Sequence, residues 1–228
     1  MNLTQKGTLL YAGPFCNVCD IMYSLNPSRN QIERVFRVFS KNYKTIPLEV
    51  FGVDPYKTLI STMLSSRTKD EMTLLSCMKL FKKAPNIEQL ANISEGNLQK
   101  LIYPVGFYKT KAKHLKTLSE KVINEFRSEI PKTREELMTL PGVGRKTANL
   151  VLNRAFNIPA IAVDTHVHRI SNLLGWVKTT DPESTEIELM KIIPEKYWRD
   201  INRLFVSIGK QYTAKNKLKE FLKSSKLF

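Results

Sequence analysis

Between two runs of helical periodicity sits Leu140-Pro-Gly-Val-Gly144, and this break most limits what the chain can fold into. Thr133 to Leu140 before it has the spacing of a short helix. After it, Ala148, Val151, Leu152, Ala155 and Phe156 form one apolar helical stripe, with Lys146 on the opposite side. Two helices joined by a turn with two glycines make a helix-hairpin-helix. Gly142 and Gly144 can take positive φ and permit close backbone approach. Gly142, Val143, Gly144, Arg145 and Thr147 are then candidate DNA contacts, because backbone N–H groups at a helix start bind a phosphate without reading sequence. A tight connection between helices that binds nothing is the alternative. A nucleotide-binding phosphate loop is excluded: Arg145 separates the glycine from Lys146, and "TREELMTL" before it reads as helix, not strand.

The rest of the chain is also helical in pattern. Gln31 to Asn42 places Ile32, Val35, Phe36 and Phe39 on one face. Asp54-Pro55 is an N-cap and first-turn pair, and Asp70 is a second cap. Ile87 to Ile102 and Lys109 to Phe126 read as two more helices. "NIPAIAVD" reads as an irregular connector, and Asp164 opens a helix through Val167, Ile170 and Leu174. Strand signals are weak throughout, so the expected fold class is all-α.

Charge narrows the partner. Thirty-six Lys and Arg against twenty-one Asp and Glu give a formal net charge of +15, which favours a polyanion, nucleic acid before anionic membrane. No apolar run reaches the roughly eighteen residues of a membrane span. "MNLTQKGTLLYAGPF" lacks a signal peptide's basic start and continuous apolar core. The expectation is an intracellular, DNA-associated monomer. Three cysteines are too few for a disulfide scaffold, and Cys16-x-x-Cys19 has no second ligand pair for zinc, so no metal site is expected.

Lys146 and Asp164 are the candidate reactive pair. Alone, Asp164 is a helix cap and Lys146 an exposed helical lysine. Together they suggest more, since an amine nucleophile must be unprotonated and a helix N-terminus disfavours a cation.

"LPGVGRKTANLVLNRAF" followed by "AVDTHVHR" resembles the helix-hairpin-helix DNA glycosylases, and among them the endonuclease III family. "Met63 to Asp70" and "VGFYKTKAKHL" fit the same pattern, and the likeness runs from about Val35 to Tyr212. It implies a six-helix barrel domain over 48–158, with the hairpin at about 134–156. A second helical domain would be built from both chain ends, 1–47 and 159–228, with a DNA-binding cleft between the two. The implied partner is double-stranded DNA containing damaged bases or abasic sites, from which a base is flipped out. The implied activity is removal of oxidised pyrimidines, with apurinic/apyrimidinic lyase activity. Lys146 would attack C1′ and form a Schiff base, and Asp164 would stabilise positive charge developing on the sugar. Lys111 would add a DNA contact. His166, beside Asp164, is either a DNA contact or a packing residue.

Two departures qualify the likeness. The family usually has glutamine at the position of Arg67, where it fills the gap left by the flipped base. Phe107 takes the second wedge position. The family also usually ends with four cysteines holding a [4Fe–4S] cluster, whereas no cysteine follows Cys77, so no cluster is expected. Leu218, Phe221 and Leu222 of a lysine-rich final helix would supply the lost packing. Alternatives within the enzyme class are a uracil or thymine mismatch glycosylase and an oxidised-guanine glycosylase. Outside it, the alternative is a non-catalytic helix-hairpin-helix DNA-binding module.

Overall fold

The computed structural model describes residues 27–227, so Cys16 and Cys19 lie outside the described residues. Within that range the regular elements are all helical. Helix α1 (Arg29–Lys41) starts earlier than its apolar spacing predicts, because Ser28 and Gln31 form a reciprocal capping box. A short 3₁₀ turn leads to α2 (Pro55–Ser65). As expected, Asp54 accepts from the Lys57 N–H at 3.0 Å and Pro55 occupies the first helical position.

Two local expectations are corrected. Asp70 does not cap α3 (Asp70–Lys83): Lys69 holds the cap position, and the Asp70 carboxylate pairs instead with Lys210. The segment Ile87 to Ile102 is not one helix. Asn92 closes α4 (Ile87–Ala91), its N–H returning to Glu88 and Leu90 oxygens, and α5 (Glu95–Ile102) begins after Ser94. Apolar periodicity continues through this break, but Asn and Ser stabilise turns at the expense of helix.

The remaining helices are α6 (Tyr108–Phe126), α7 (Arg134–Met138), α8 (Arg145–Ala155), α9 (Thr165–Leu173), α10 (Pro182–Ile192), α11 (Trp198–Gln211) and α12 (Lys215–Ser224). They bury two apolar clusters. The first runs from Tyr56 to Ala160 and joins α2 through α8, with Leu59, Leu64, Leu80 and Leu118 fully buried. The second combines α1 with α9, α11 and α12, centred on Phe39, Ile170, Phe205 and Leu218. Phe39 meets Phe205 edge-on at 5.0 Å. The chain crosses from one cluster to the other between Ala160 and Ile161, inside the irregular connector. No described helix is long and apolar enough to cross a membrane.

Polar contacts tie the seam. Glu186 of α10 is buried and accepts from both Arg134 of α7 at 2.9 Å and Arg145 of α8 at 3.0 Å. The hairpin is therefore fastened to the second cluster at its turn.

Candidate nucleic-acid interface and reactive site

The α7–α8 turn explains its two glycines differently. Gly142 has φ +79°, and a Cβ there would lie 2.7 Å from His114 Nδ1 and 3.0 Å from Met63 Cε. Only glycine fits that conformation and that space. Gly144 does not take positive φ: it caps α8 in extended conformation, φ −100°, and nothing lies within 4 Å of where its Cβ would be. What glycine supplies there is open space in front of a helix start. No side chain caps α8, so the first-turn N–H groups of Arg145, Lys146 and Thr147 lack intrahelical acceptors and face that opening. Val143 between the glycines is buried and anchors the turn.

Arg145, one of the expected DNA contacts, is turned away from this opening. Its guanidinium makes two bonds to Glu186 and a third contact to Glu183 at 3.3 Å. The Glu186 hydrogen bond is the main cause that raises its pKa further. Arg145 holds the hairpin; only its backbone amide is available to a phosphate.

Asp164 caps α9. Its Oδ1 accepts from the N–H groups of His166 and Val167, both at 2.9 Å. Its Oδ2 has no protein partner among the described residues, and the side chain is half-buried. One oxygen is thus fixed and the other is presented. The connector before it is pinned carbonyl by carbonyl. Asn153 donates to Ala160 O at 2.8 Å, Asn149 to Ile161 O at 2.9 Å, and Asn202 to Ala162 O at 2.9 Å. Asn149 and Asn153 are one turn apart in α8, the same helix that carries Lys146. Sequence reading missed this ladder. Its visible signal was two asparagines inside a helix, where Asn is a poor helix former.

Lys146 is the second residue of α8 and is exposed. It makes no ion pair among the described residues, Asp164 included. Burial holds the His166 pKa below its ordinary value; Asp164 opposes the shift, while Arg169, Lys210 and Lys146 add to it. The imidazole also packs against α11 so closely that a Cβ on Gly209 would fall 2.3 Å from Nδ1. His166 therefore has a packing role in this structure, and its burial disfavours the charged form.

On the neighbouring edge, Arg67 and Phe107 both adopt left-handed backbone conformations, φ 53° and 57°. Such conformations cost about 1–3 kcal/mol each outside glycine and persist only where the surroundings impose them. Arg67 Cζ stands 5.3 Å over the Phe107 ring, and Phe107 is 61% exposed. Lys111, expected at the surface as a DNA contact, lies instead beneath these two loops. It is 9% exposed, and its ammonium donates to Leu64 O and Ser66 O. Burial lowers its pKa to about 8.

The C-terminal residues do not fit an iron–sulfur cluster. The chain has three cysteines in all, short of the four thiolates required. Cys77 is buried, and burial pushes its thiol up to about 12. Leu218 and Leu222 of α12 are fully buried, and Phe221 stacks on Tyr212 at 4.4 Å. The turn between α11 and α12 is held by Arg169, which donates to Gly209, Tyr212 and Thr213 oxygens.

Against known proteins, the family profile described as "HhH-GPD superfamily base excision DNA repair protein" matches residues 60–195. Endonuclease III of Thermotoga maritima is 44% identical over 177 residues, covering 78% of this chain and 80% of that protein. A solved non-covalent endonuclease III–DNA complex superposes with a TM-score of 0.76 at 33% identity, covering 83% of this chain and 89% of that one. A trapped endonuclease III–DNA covalent intermediate superposes with a TM-score of 0.72 at 31% identity, covering 82% and 89%.

Proposed function

Because the chain belongs to the HhH-GPD superfamily of base excision DNA repair proteins, we propose that it is a bifunctional DNA glycosylase and apurinic/apyrimidinic lyase of the endonuclease III kind. Its substrate is duplex DNA carrying an oxidised pyrimidine. The observation that carries the reactive part is the Asp164 carboxylate. Two backbone amides lock Oδ1 and leave Oδ2 free, and Asn149 and Asn153 of α8, the helix that carries Lys146, bond to the segment that leads into Asp164.

In this reading the α8 start holds a backbone phosphate through the Arg145, Lys146 and Thr147 amides. The damaged nucleotide is turned out of the stack toward the seam. Nζ of Lys146 gives up a proton and forms a bond to C1′ as the bond from C1′ to the base breaks, and the base leaves with a proton. Asp164 Oδ2 faces the positive charge that develops on the sugar and stabilises it. Opening of the sugar ring gives an imine between Lys146 and C1′. Loss of a C2′ proton then expels the 3′ phosphate, cutting the strand on that side. Water finally releases the lysine.

We infer that α12 and the Arg169-capped turn do the packing that a cluster performs in relatives that have one. Lys215, Lys217, Lys219 and Lys223 on α12 add positive charge for phosphates.

A panel of duplexes, each with one defined lesion, tests the substrate. Release of an oxidised pyrimidine together with a β-eliminated 3′ end is the expected result. Preferential release of uracil, mismatched thymine or oxidised guanine would redirect the assignment within the class. DNA binding without any base release would leave a non-catalytic DNA-binding module.

A further inference from the structure

Beneath the exposed residues Arg67 and Phe107 lies one buried amine, that of Lys111. Lys111 sits on α6 one turn after Phe107, and its Nζ reaches across to the end of α2. It donates to Leu64 O at 2.8 Å and Ser66 O at 2.6 Å, and approaches Thr68 Oγ1 at 3.4 Å. The two carbonyls belong to the last turn and cap of α2, where a helix accumulates negative partial charge and favours a cation. Arg67 follows Ser66 directly, so its left-handed backbone lies between the groups that Lys111 grips.

The same hydroxyl closes the link to the other loop. Thr68 Oγ1 accepts from the Gly106 N–H at 3.0 Å and donates to Ser66 O at 3.3 Å. Gly106 immediately precedes Phe107. The loops touch backbone to backbone there, since a Cβ on Gly106 would lie 2.6 Å from Arg67 O. The chain of contacts is then Lys111 to the α2 end, to Thr68, to Gly106, with Arg67 and Phe107 projecting side by side from its two sides. Among side chains, lysine alone offers three donors from one atom, which three converging oxygens require. Arginine's planar fork matches a different geometry.

We propose that Lys111 is a positioning residue for base excision, fixing Arg67 and Phe107 as a single two-pronged wedge. This rests on the glycosylase reading given above. The ammonium touches no DNA; it sets the separation and direction of the two side chains that do. One insertion event then delivers the cation and the ring together. The arrangement differs from two independent loops, in which either prong could disengage without the other.

The test uses Lys111→Met, which keeps the stem and removes the donors, and Thr68→Val, which leaves the two carbonyl bonds and cuts the bridge to Gly106. Both are compared with wild type on a duplex holding a non-cleavable tetrahydrofuran site opposite 2-aminopurine. Folding is checked by circular dichroism and thermal melting. Wild type should change the 2-aminopurine fluorescence on binding, through altered stacking. Both folded variants should bind that duplex while losing at least half of the fluorescence change. Single-turnover excision should fall by about a hundredfold in Lys111→Met, the scale expected of a small misplacement, and by less in Thr68→Val. The enzyme concentration for half-maximal rate should stay nearly constant.

Wild-type fluorescence and excision in both folded variants would overturn the proposal. If Lys111→Met fails to fold, Thr68→Val decides alone. If wild type releases no base from any lesion, the glycosylase reading falls and the role of Lys111 with it. If wild type excises bases without changing the fluorescence, the wedge assignment is overturned while the enzyme reading survives.

Discussion

The Asn202 side-chain amide donates to the carbonyl oxygen of Ala162 at 2.9 Å, two residues before the cap residue Asp164. Asn202 lies on α11 in the second cluster, and its Oδ1 accepts from Arg154 of α8 at 3.1 Å. Besides the direct Asn149 and Asn153 bonds, the helix that carries Lys146 and the segment that carries Asp164 are therefore joined through Asn202. Replacing it with alanine leaves a buried carbonyl unpaired and a largely buried Arg154 without its acceptor. Asn202→Ala should lose about 1–3 kcal/mol of stability in urea titration, the cost of an orphaned buried group. It should also slow base excision in single-turnover assays although Asn202 touches no substrate.

The hairpin glycines should separate by readout. Gly142→Ala meets both positive φ and the His114 ring, and should lose about 1–3 kcal/mol in stability. Gly144→Ala meets neither and should change the melting midpoint little. Its methyl would stand in front of the uncapped α8 amides, so DNA affinity should fall in fluorescence anisotropy titrations.

Glu186 is the hinge pin between hairpin and second cluster. Glu186→Ala leaves Arg134 and Arg145 without their shared partner. Breaking a buried pair from one side costs about 3–5 kcal/mol, and the low end applies because both arginines are about 30% exposed. A urea midpoint unchanged from wild type would show that the clamp contributes nothing.

His166 gives an acid limb to stability. Its folded pKa lies below the ordinary 6.5, chiefly through burial. The unfolded chain therefore takes up a proton that the folded chain refuses as pH falls through that value. Stability tied to His166 is present above about pH 6.5 and lost below it. His166→Gln should flatten that part of a stability-versus-pH curve measured by urea melts, with little change at pH 8.

Much of this molecule was legible in its residues, for local reasons. The Asp54 and Asp164 caps, the α1 stripe and the hairpin each depend on neighbours within a few positions. Apart from the α4–α5 break, which Asn92 and Ser94 make locally, most of what escaped depends on partners distant in sequence. Lys111 and Arg145 look alike on paper, as cations beside a DNA-binding motif. Their true partners, the α2 carbonyls and Glu186, are about 45 and 41 residues away. Asp70 looked like a cap because helix starts favour Asp, yet Lys210 claims its carboxylate from 140 residues away. The Asn202 rung beneath Asp164 escaped for the same reason, since Ala162 lies 40 residues away, whereas Asn149 and Asn153 reach carbonyls only 12 and 7 residues on.

Covalent trapping decides whether Lys146 is the nucleophile. Wild type incubated with an abasic-site duplex and sodium borohydride should give a covalent protein–DNA species, with peptide mass spectrometry placing the adduct on Lys146. Lys146→Ala should give none while still binding the duplex. Absence of the adduct from wild type, or an adduct on another residue that persists in Lys146→Ala, would remove Lys146 from the reaction.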